Sequence, residues 1–311
     1  MAPIQRSILI TGCTNGSAGH ALALQFASQG MRVFATARSL KSLSGLEEKG
    51  IETLTLDVTI SESITALKAE IIKRTGGKLD MLFNNAGMMY EAPAIDSDPV
   101  RIRAMFNANV FGVFDMVSAM TPLLLSSTSN SSTSNPPVII NTASVLAKVP
   151  YPFAAAYNAS KAAVASYSDT LRLELAPLGI KVVTLYMGVV STRISSPDAI
   201  QFDPESLYSN VEGKVQERSR EHQVSGMKAE QFAKDVVQEL MKNPGLGKGE
   251  QVWKGANATL VWLFSSIGGA GRRILESSSQ QEIGFDEKVK KVIGEKGRAA
   301  AQRNLSEQAS K

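Results

Sequence analysis

Arg6-Ser7-Ile8-Leu9-Ile10-Thr11 is a short apolar run, and Gly12, Gly16 and Gly19 follow it before Ala21-Leu22-Ala23-Leu24-Gln25-Phe26-Ala27 sets in with helical character. Strand, glycine-rich turn and helix, in that order, form the context in which a backbone closes on the pyrophosphate of a dinucleotide. Glycine lacks a Cβ, so the main chain can approach the phosphates. The first N–H groups of the helix and its positive dipole end favour an anion. The spacing is Gly-x3-Gly-x2-Gly instead of the commoner Gly-x-Gly-x2-Gly, and by itself it reads equally well as an ordinary tight turn.

The same alternation continues along the chain. Strands are expected at Ser7–Thr11, Arg32–Ala37, Thr53–Asp57, Met81–Asn84, Val138–Thr142, Lys181–Tyr186 and about Gln251–Lys254, each short and apolar on both faces. Helical patterns lie near Ala18–Gln29, Ser61–Arg74, Val100–Leu125, Tyr157–Ala176 and Lys228–Lys242. This order predicts an α/β fold, a doubly wound parallel sheet of Rossmann type with helices on both faces. We read one domain over residues 1–275 and a charged, loosely packed tail over 276–311. Ser126–Pro137 holds Ser, Thr, Asn and Pro and no large apolar residue, so a mobile surface loop is expected there. Thr192–Ser225 is long, polar and interrupted by Pro197 and Pro204, and it is expected to form a lid over the substrate.

Composition narrows the function classes. The chain has 311 residues, 43% hydrophobic and 20% charged, with a formal net charge of +4, which describes ordinary globular material with a mildly basic surface. No Lys/Arg cluster is interleaved with aromatics, so no nucleic-acid partner is expected. Cys13 is the one cysteine, which excludes an intrachain disulfide. With His20 and His222 as the sole histidines, neither a zinc site nor a Ser-His-Asp hydrolase is expected. No signal-peptide pattern stands at the N-terminus, and a cytoplasmic location is expected.

Tyr157-Asn158-Ala159-Ser160-Lys161 places a phenol and an ammonium one helical turn apart on one face. A neighbouring cation favours the phenolate, so the pair is expected to lower the phenol pKa from its usual value near 10 and make an acid suited to a carbonyl oxygen. Ser144, upstream at a strand end, and Asn109, within a helical segment, stand at the further candidate positions.

Together these features resemble the short-chain dehydrogenase/reductase family over roughly the first 195 residues. Thr11-Gly12-Cys13-Thr14-Asn15-Gly16 is similar to its cofactor turn, Asp57-Val58 to its adenine contact, and Asn84-Asn85-Ala86-Gly87 to its strand-four motif. Asn109, Ser144, Tyr157 and Lys161 match its catalytic tetrad. The resemblance implies that Tyr157 donates the proton while Ser144 orients the carbonyl. It implies that Lys161 holds the ribose and depresses the Tyr157 pKa, and that Asn109 kinks its helix and holds a water. It also implies cofactor contacts from Gly12, Thr14, Asn15, Gly16, Arg38, Asp57, Asn84, Ala86, Gly87, Tyr157, Lys161, Gly188, Val190 and Thr192. Two departures stand out: Ala18 precedes Gly19 where a glycine is usual, and Met187-Gly188 replaces the Pro-Gly after the sixth strand.

Cofactor choice is read at the end of the second strand, where Ala37-Arg38 replaces the acidic residue that would bind an NAD ribose. A guanidinium suits the 2′-phosphate of NADP(H). A narrower resemblance, carried by Lys78–Phe83, Phe106–Gly112 and Val252-Trp253-Lys254-Gly255, is to fungal NADPH-dependent 1-acyldihydroxyacetone-phosphate reductases. It implies a ketoreductase acting on a lipophilic substrate. The alternatives are a reductase of fungal secondary metabolism and a non-catalytic NADP-binding protein. From Gly255 to Gly271 no residue is charged. That run is too short and too broken to span a bilayer. It is expected to close the substrate pocket, to pack in the core, or to lie against a membrane interface through 258–273, on endoplasmic reticulum or lipid droplets, with Arg272 and Arg273 at the headgroups. A homo-oligomer is a further expectation.

Overall fold

A computed structural model describes residues 5–128, 134–192, 194 and 196–309. Seven parallel strands run in the order β3 (Glu52–Thr55), β2 (Arg32–Ala37), β1 (Ser7–Ile10), β4 (Met81–Asn84), β5 (Val138–Ser144), β6 (Lys181–Met187) and β9 (Gln251–Lys254). Strand periodicity sorts the core into two layers. Ile8 and Ile10 face one side with Leu22, Phe26 and Phe232; Leu9 and Phe34 face the other with Val113, Met116 and Leu171. Each fully buried side chain of this size contributes roughly 1.5–3 kcal/mol. The doubly wound expectation holds.

The helices start and stop where local chemistry dictates. α1 (Ala18–Ser28) begins at Ser17, whose Oγ accepts from the His20 amide at 3.2 Å. α2 (Ser61–Thr75) ends at Gly76 in the left-handed region. α3 (Pro99–Phe106) has Pro at its first position, and Asp98 accepts from the Val100 amide. One π turn, Asn107–Phe111, separates it from α4 (Gly112–Thr128). α5 (Ala155–Leu175) then crosses behind β5 and β6.

Several expectations need correction. β3 is an edge strand and not apolar on both faces: Glu52 is half-buried in ion pairs with Arg32 and Arg74. Of the expected loop Ser126–Pro137, Ser126–Thr128 is the last turn of α4, and Pro136 and Pro137 are buried. Residues 129–133 lie outside the described residues. The lid segment is less open than its polarity suggested. β7 (Val190–Ser191) pairs with β8 (Met227–Lys228), and α6 (Glu212–Ser225) forms between them. Ile200, Phe202, Val211 and Val215 pack in one cluster with Tyr151, Phe153 and Tyr157. After α7 (Ala229–Lys242), the chain adds α8 (Ala258–Ser266), α9 (Gly268–Glu282) and α10 (Glu287–Ala309). The start of the expected loose tail is firmly packed. Ile283 is fully buried against the lid cluster, and the Phe285 ring lies 5.9 Å from that of Phe153.

Candidate active site

The carboxyl ends of β1, β4, β5 and β6 converge on one edge of the sheet, where the strand order reverses beside β1. Gly12 holds φ +75°, and a Cβ there would stand 2.8 Å from Ala86 Cα. No other residue fits this approach of the β1 turn to the β4 loop. The Thr11 hydroxyl accepts from the Asn85 and Ala86 amides at 3.0 and 2.9 Å and joins the same two loops. Thr14, Asn15 and Gly16 are exposed at the N-terminus of α1, with nothing within 4 Å of the Gly16 Cβ position. An open glycine turn ahead of free helix N–H groups fits the pyrophosphate of a dinucleotide.

Arg38 is exposed just past β2, next to Asp57 past β3. Burial would raise the Asp57 pKa. Hydrogen bonds from the Thr59 hydroxyl and amide, with the charge of Arg38, outweigh burial and hold it below the ordinary value. Asn84 departs from its expected role. Its side chain is buried inside the sheet, where it donates to Asn141 Oδ1 at 2.9 Å, and Asn141 donates in turn to Ser168 on α5. Asn84 therefore offers that side chain to the β4–β5–α5 junction and not to the cleft.

The four expected catalytic residues come together. Ser144 closes β5, accepting from the Leu146 amide at 3.1 Å and donating to the Met187 carbonyl at 3.3 Å. Tyr157, on the first turn of α5, lines the same cleft as Ser144. Lys161 donates to the Thr142 carbonyl at 2.9 Å. Asn109 sits in the π turn, donating to the Met88 carbonyl and Ser160 Oγ while its Oδ1 accepts from the Met88 amide. A Cβ on Gly87 would lie 3.0 Å from Asn109 Oδ1 and 3.6 Å from Lys161 Nζ, so Gly87, Asn109 and Lys161 meet at one point.

The electrostatics correct one expectation. Burial pushes the Tyr157 phenol up to about 12, the hydrogen bond with Ser144 opposes that, and the Glu91 carboxylate adds to the rise. Lys161 is itself lowered to about 8 by burial. With Nζ held on a backbone carbonyl and 5.9 Å from the phenol ring centroid, the lysine does not bring the phenol down. Tyr157 thus stays protonated at neutral pH, the form a proton donor needs.

Ser144 and Tyr157 form the floor of a cleft of about 290 Å³. Gly188, Val190 and Thr192 line one side, and Gly188 is constrained because a Cβ there would meet the Ala256 carbonyl at 2.2 Å. Leu260, Val261, Phe264, Ile274 and Leu275 supply an apolar wall. A second wall is polar and escaped the sequence reading. Arg218 on α6 pairs with Glu91, both almost fully buried, and the Arg218 guanidinium lies over the Tyr151 ring at 5.0 Å. His222, one turn further, meets Glu282 of α9 at 2.5 Å. Burial would raise the Glu282 pKa, yet His222, Tyr151 and Arg218 hold it below its ordinary value. The one available signal was the Arg218–His222 spacing, which puts both side chains on one helical face.

With this geometry established, comparison with known proteins is direct. A family model described as short chain dehydrogenase matches residues 6–201. The chain belongs to the short-chain dehydrogenase family. Among its relatives, a Schizosaccharomyces pombe NADPH-dependent 1-acyldihydroxyacetone phosphate reductase is 42% identical over 192 residues, 62% of this chain and 62% of that one. The Aspergillus ruber short-chain dehydrogenase fogD is 35% identical over 81% of this chain and 85% of its own length. A crystal structure of a short-chain dehydrogenase from Streptomyces avermitilis shares the fold at a TM-score of 0.71, with 24% identity, covering 92% of this chain and all of that one. As a member of the family, the chain is an oxidoreductase acting on alcohol or ketone groups with a nicotinamide cofactor.

Proposed function

We propose that this short-chain dehydrogenase is an NADPH-dependent ketoreductase acting on a lipophilic substrate. The observation that carries the reading is Tyr157 beside Ser144 at the floor of a cleft with a long apolar wall. When bound, reduced nicotinamide would supply the hydride. Gly12, Thr14, Asn15 and Gly16 would hold its pyrophosphate, and Arg38 would pair with a 2′-phosphate. Ser144 orients the substrate carbonyl, and Tyr157 gives its proton to the carbonyl oxygen as negative charge develops there. Lys161 and Asn109 complete the polar side of the site through Gly87. Positioned proton donors of this kind contribute on the order of 10²–10⁴ in rate.

The name of the Schizosaccharomyces pombe relative suggests a phosphate-bearing ketone, and relatives such as fogD leave other ketones open. Charge in the cleft favours a ketone without phosphate. Both basic side chains among its described lining residues already face carboxylates, Arg218 with Glu91 and His222 with Glu282. A phosphomonoester dianion there would lie near two carboxylates with no spare cation among the described lining residues. NADPH oxidation measured over a panel of neutral lipophilic ketones and 1-acyldihydroxyacetone phosphate tests both points. No turnover of any ketone would refute the reductase reading, whereas a clear preference for the phosphate ester would refute the charge argument alone.

A further inference from the structure

The helical hairpin of α8 and α9 leaves large apolar side chains in solvent: Leu260 is 54% exposed, Ile267 53%, and Trp262, Leu263 and Ile274 48% each. Clustered exposure of this kind on a folded protein marks an interaction surface. The hairpin is anchored from beneath, since Ala258, Val261 and Leu275 are buried with Val145 and Val149 beside the active site. Its exposed side chains therefore form a formed, supported surface.

Two observations identify what covers it. The first is continuity with the cleft. Leu260 and Ile274 are both exposed and part of the cleft wall, next to Phe264, Val261 and Leu275. A lipophilic molecule could pass from the patch to Tyr157 along apolar side chains alone. The second is charge. No residue from Gly255 to Gly271 is charged, and Arg272 and Arg273 follow at once, both exposed near the start of α9. Arg272 is tied to Glu276, whereas Arg273 makes no ion pair among the described residues. An apolar tip carrying a tryptophan, bordered by arginines, is complementary to a lipid surface with anionic headgroups. A symmetric contact with a second copy would instead bring positive borders together.

We propose that the α8–α9 hairpin docks on an anionic lipid surface with the cleft mouth facing it, so that substrate enters from the lipid. Only the substrate route rests on the reductase reading; the docking does not.

Flotation of the full chain tests this, on phosphatidylcholine vesicles with and without phosphatidylserine. Wild-type protein is expected to float with the phosphatidylserine vesicles, and less so as salt rises, because screening weakens the arginine contacts. Trp262→Ser with Leu263→Ser should reduce flotation by on the order of tenfold or more. Neither residue lines the cleft, so turnover of a short soluble ketone should be unchanged. Arg272→Gln with Arg273→Gln should abolish the preference for phosphatidylserine. If the serine double variant does not fold, Ile267→Ser at the exposed turn gives the same readout. Wild-type protein that stays soluble with both vesicle types would overturn the proposal. So would flotation that survives both apolar variants, or a wild-type dimer in gel filtration that the serine variant dissociates. Flotation needs neither cofactor nor substrate, so loss of turnover with intact flotation would count against the reductase reading alone.

Discussion

Tyr157 shows how a residue's chemistry depends on more than its neighbour in sequence. The Tyr157–Lys161 spacing marks the pair, but the direction of the phenol's shift is set by burial, Ser144 and Glu91. Tyr157→Phe removes the proton and little volume, so turnover should fall by on the order of 10²–10⁴ while fluorescence titration finds NADPH affinity nearly unchanged. Lys161 has a folded pKa of about 8 against an ordinary 10.5, so between those values the unfolded chain binds more protons and stability rises with pH. Below about pH 8 the buried charge costs the fold its full penalty. Lys161→Met should therefore stabilise the protein at pH 7, on the order of 1–3 kcal/mol, while turnover collapses. In urea unfolding the gap should close as pH rises from about 8 toward 10.5. On the proposed reading that Arg38 pairs with the 2′-phosphate, Arg38→Asp exchanges that contact for a repulsion, and NADPH affinity should drop about 10–100-fold relative to NADH. An unchanged cofactor preference would assign phosphate recognition to another group.

Among the elements, α6 carries the least expected role. Its sequence is strongly polar, yet Arg218 buries a guanidinium against Glu91 from the loop after β4, tying the lid to the sheet. Removing one partner leaves a buried charge uncompensated, so Glu91→Gln should destabilise the protein by about 3–5 kcal/mol in urea unfolding. Arg218→Met combined with Glu91→Gln should cost less than the two single changes added together, because the pair desolvates as a unit. The π turn at Asn107–Phe111 is a smaller instance. Asn109 was recognisable from its motif, but the turn that directs it to Met88 and Ser160 is set by the packing of α3 and α4 around it.

At the scale of the whole molecule, the proposed nicotinamide site draws on β1, β2, β3, β4, β5 and α5, so binding there would select the folded state. At about 100 times its dissociation constant, NADPH should add roughly 2.7 kcal/mol of stability. For a chain of this size that corresponds to a rise of roughly 5 °C in thermal midpoint. NADH at the same concentration should raise it less, and equal shifts would contradict the reading of Arg38.

Strand positions, helix periodicity, the glycine turn and the catalytic spacing were all legible along the chain, because each depends on residues within a few turns or on one repeating strand–helix unit. Arg218, His222, Glu91, Tyr151 and Glu282 were not, since they come together from four separate segments and the Arg218–His222 spacing was their one local signal. The apolar run after Gly255 was equally ambiguous. Its composition suits a core and a lipid surface alike. Folding buried Val261 and left Trp262 and Leu263 exposed, because a helix lying on the cleft can cover only one of its faces.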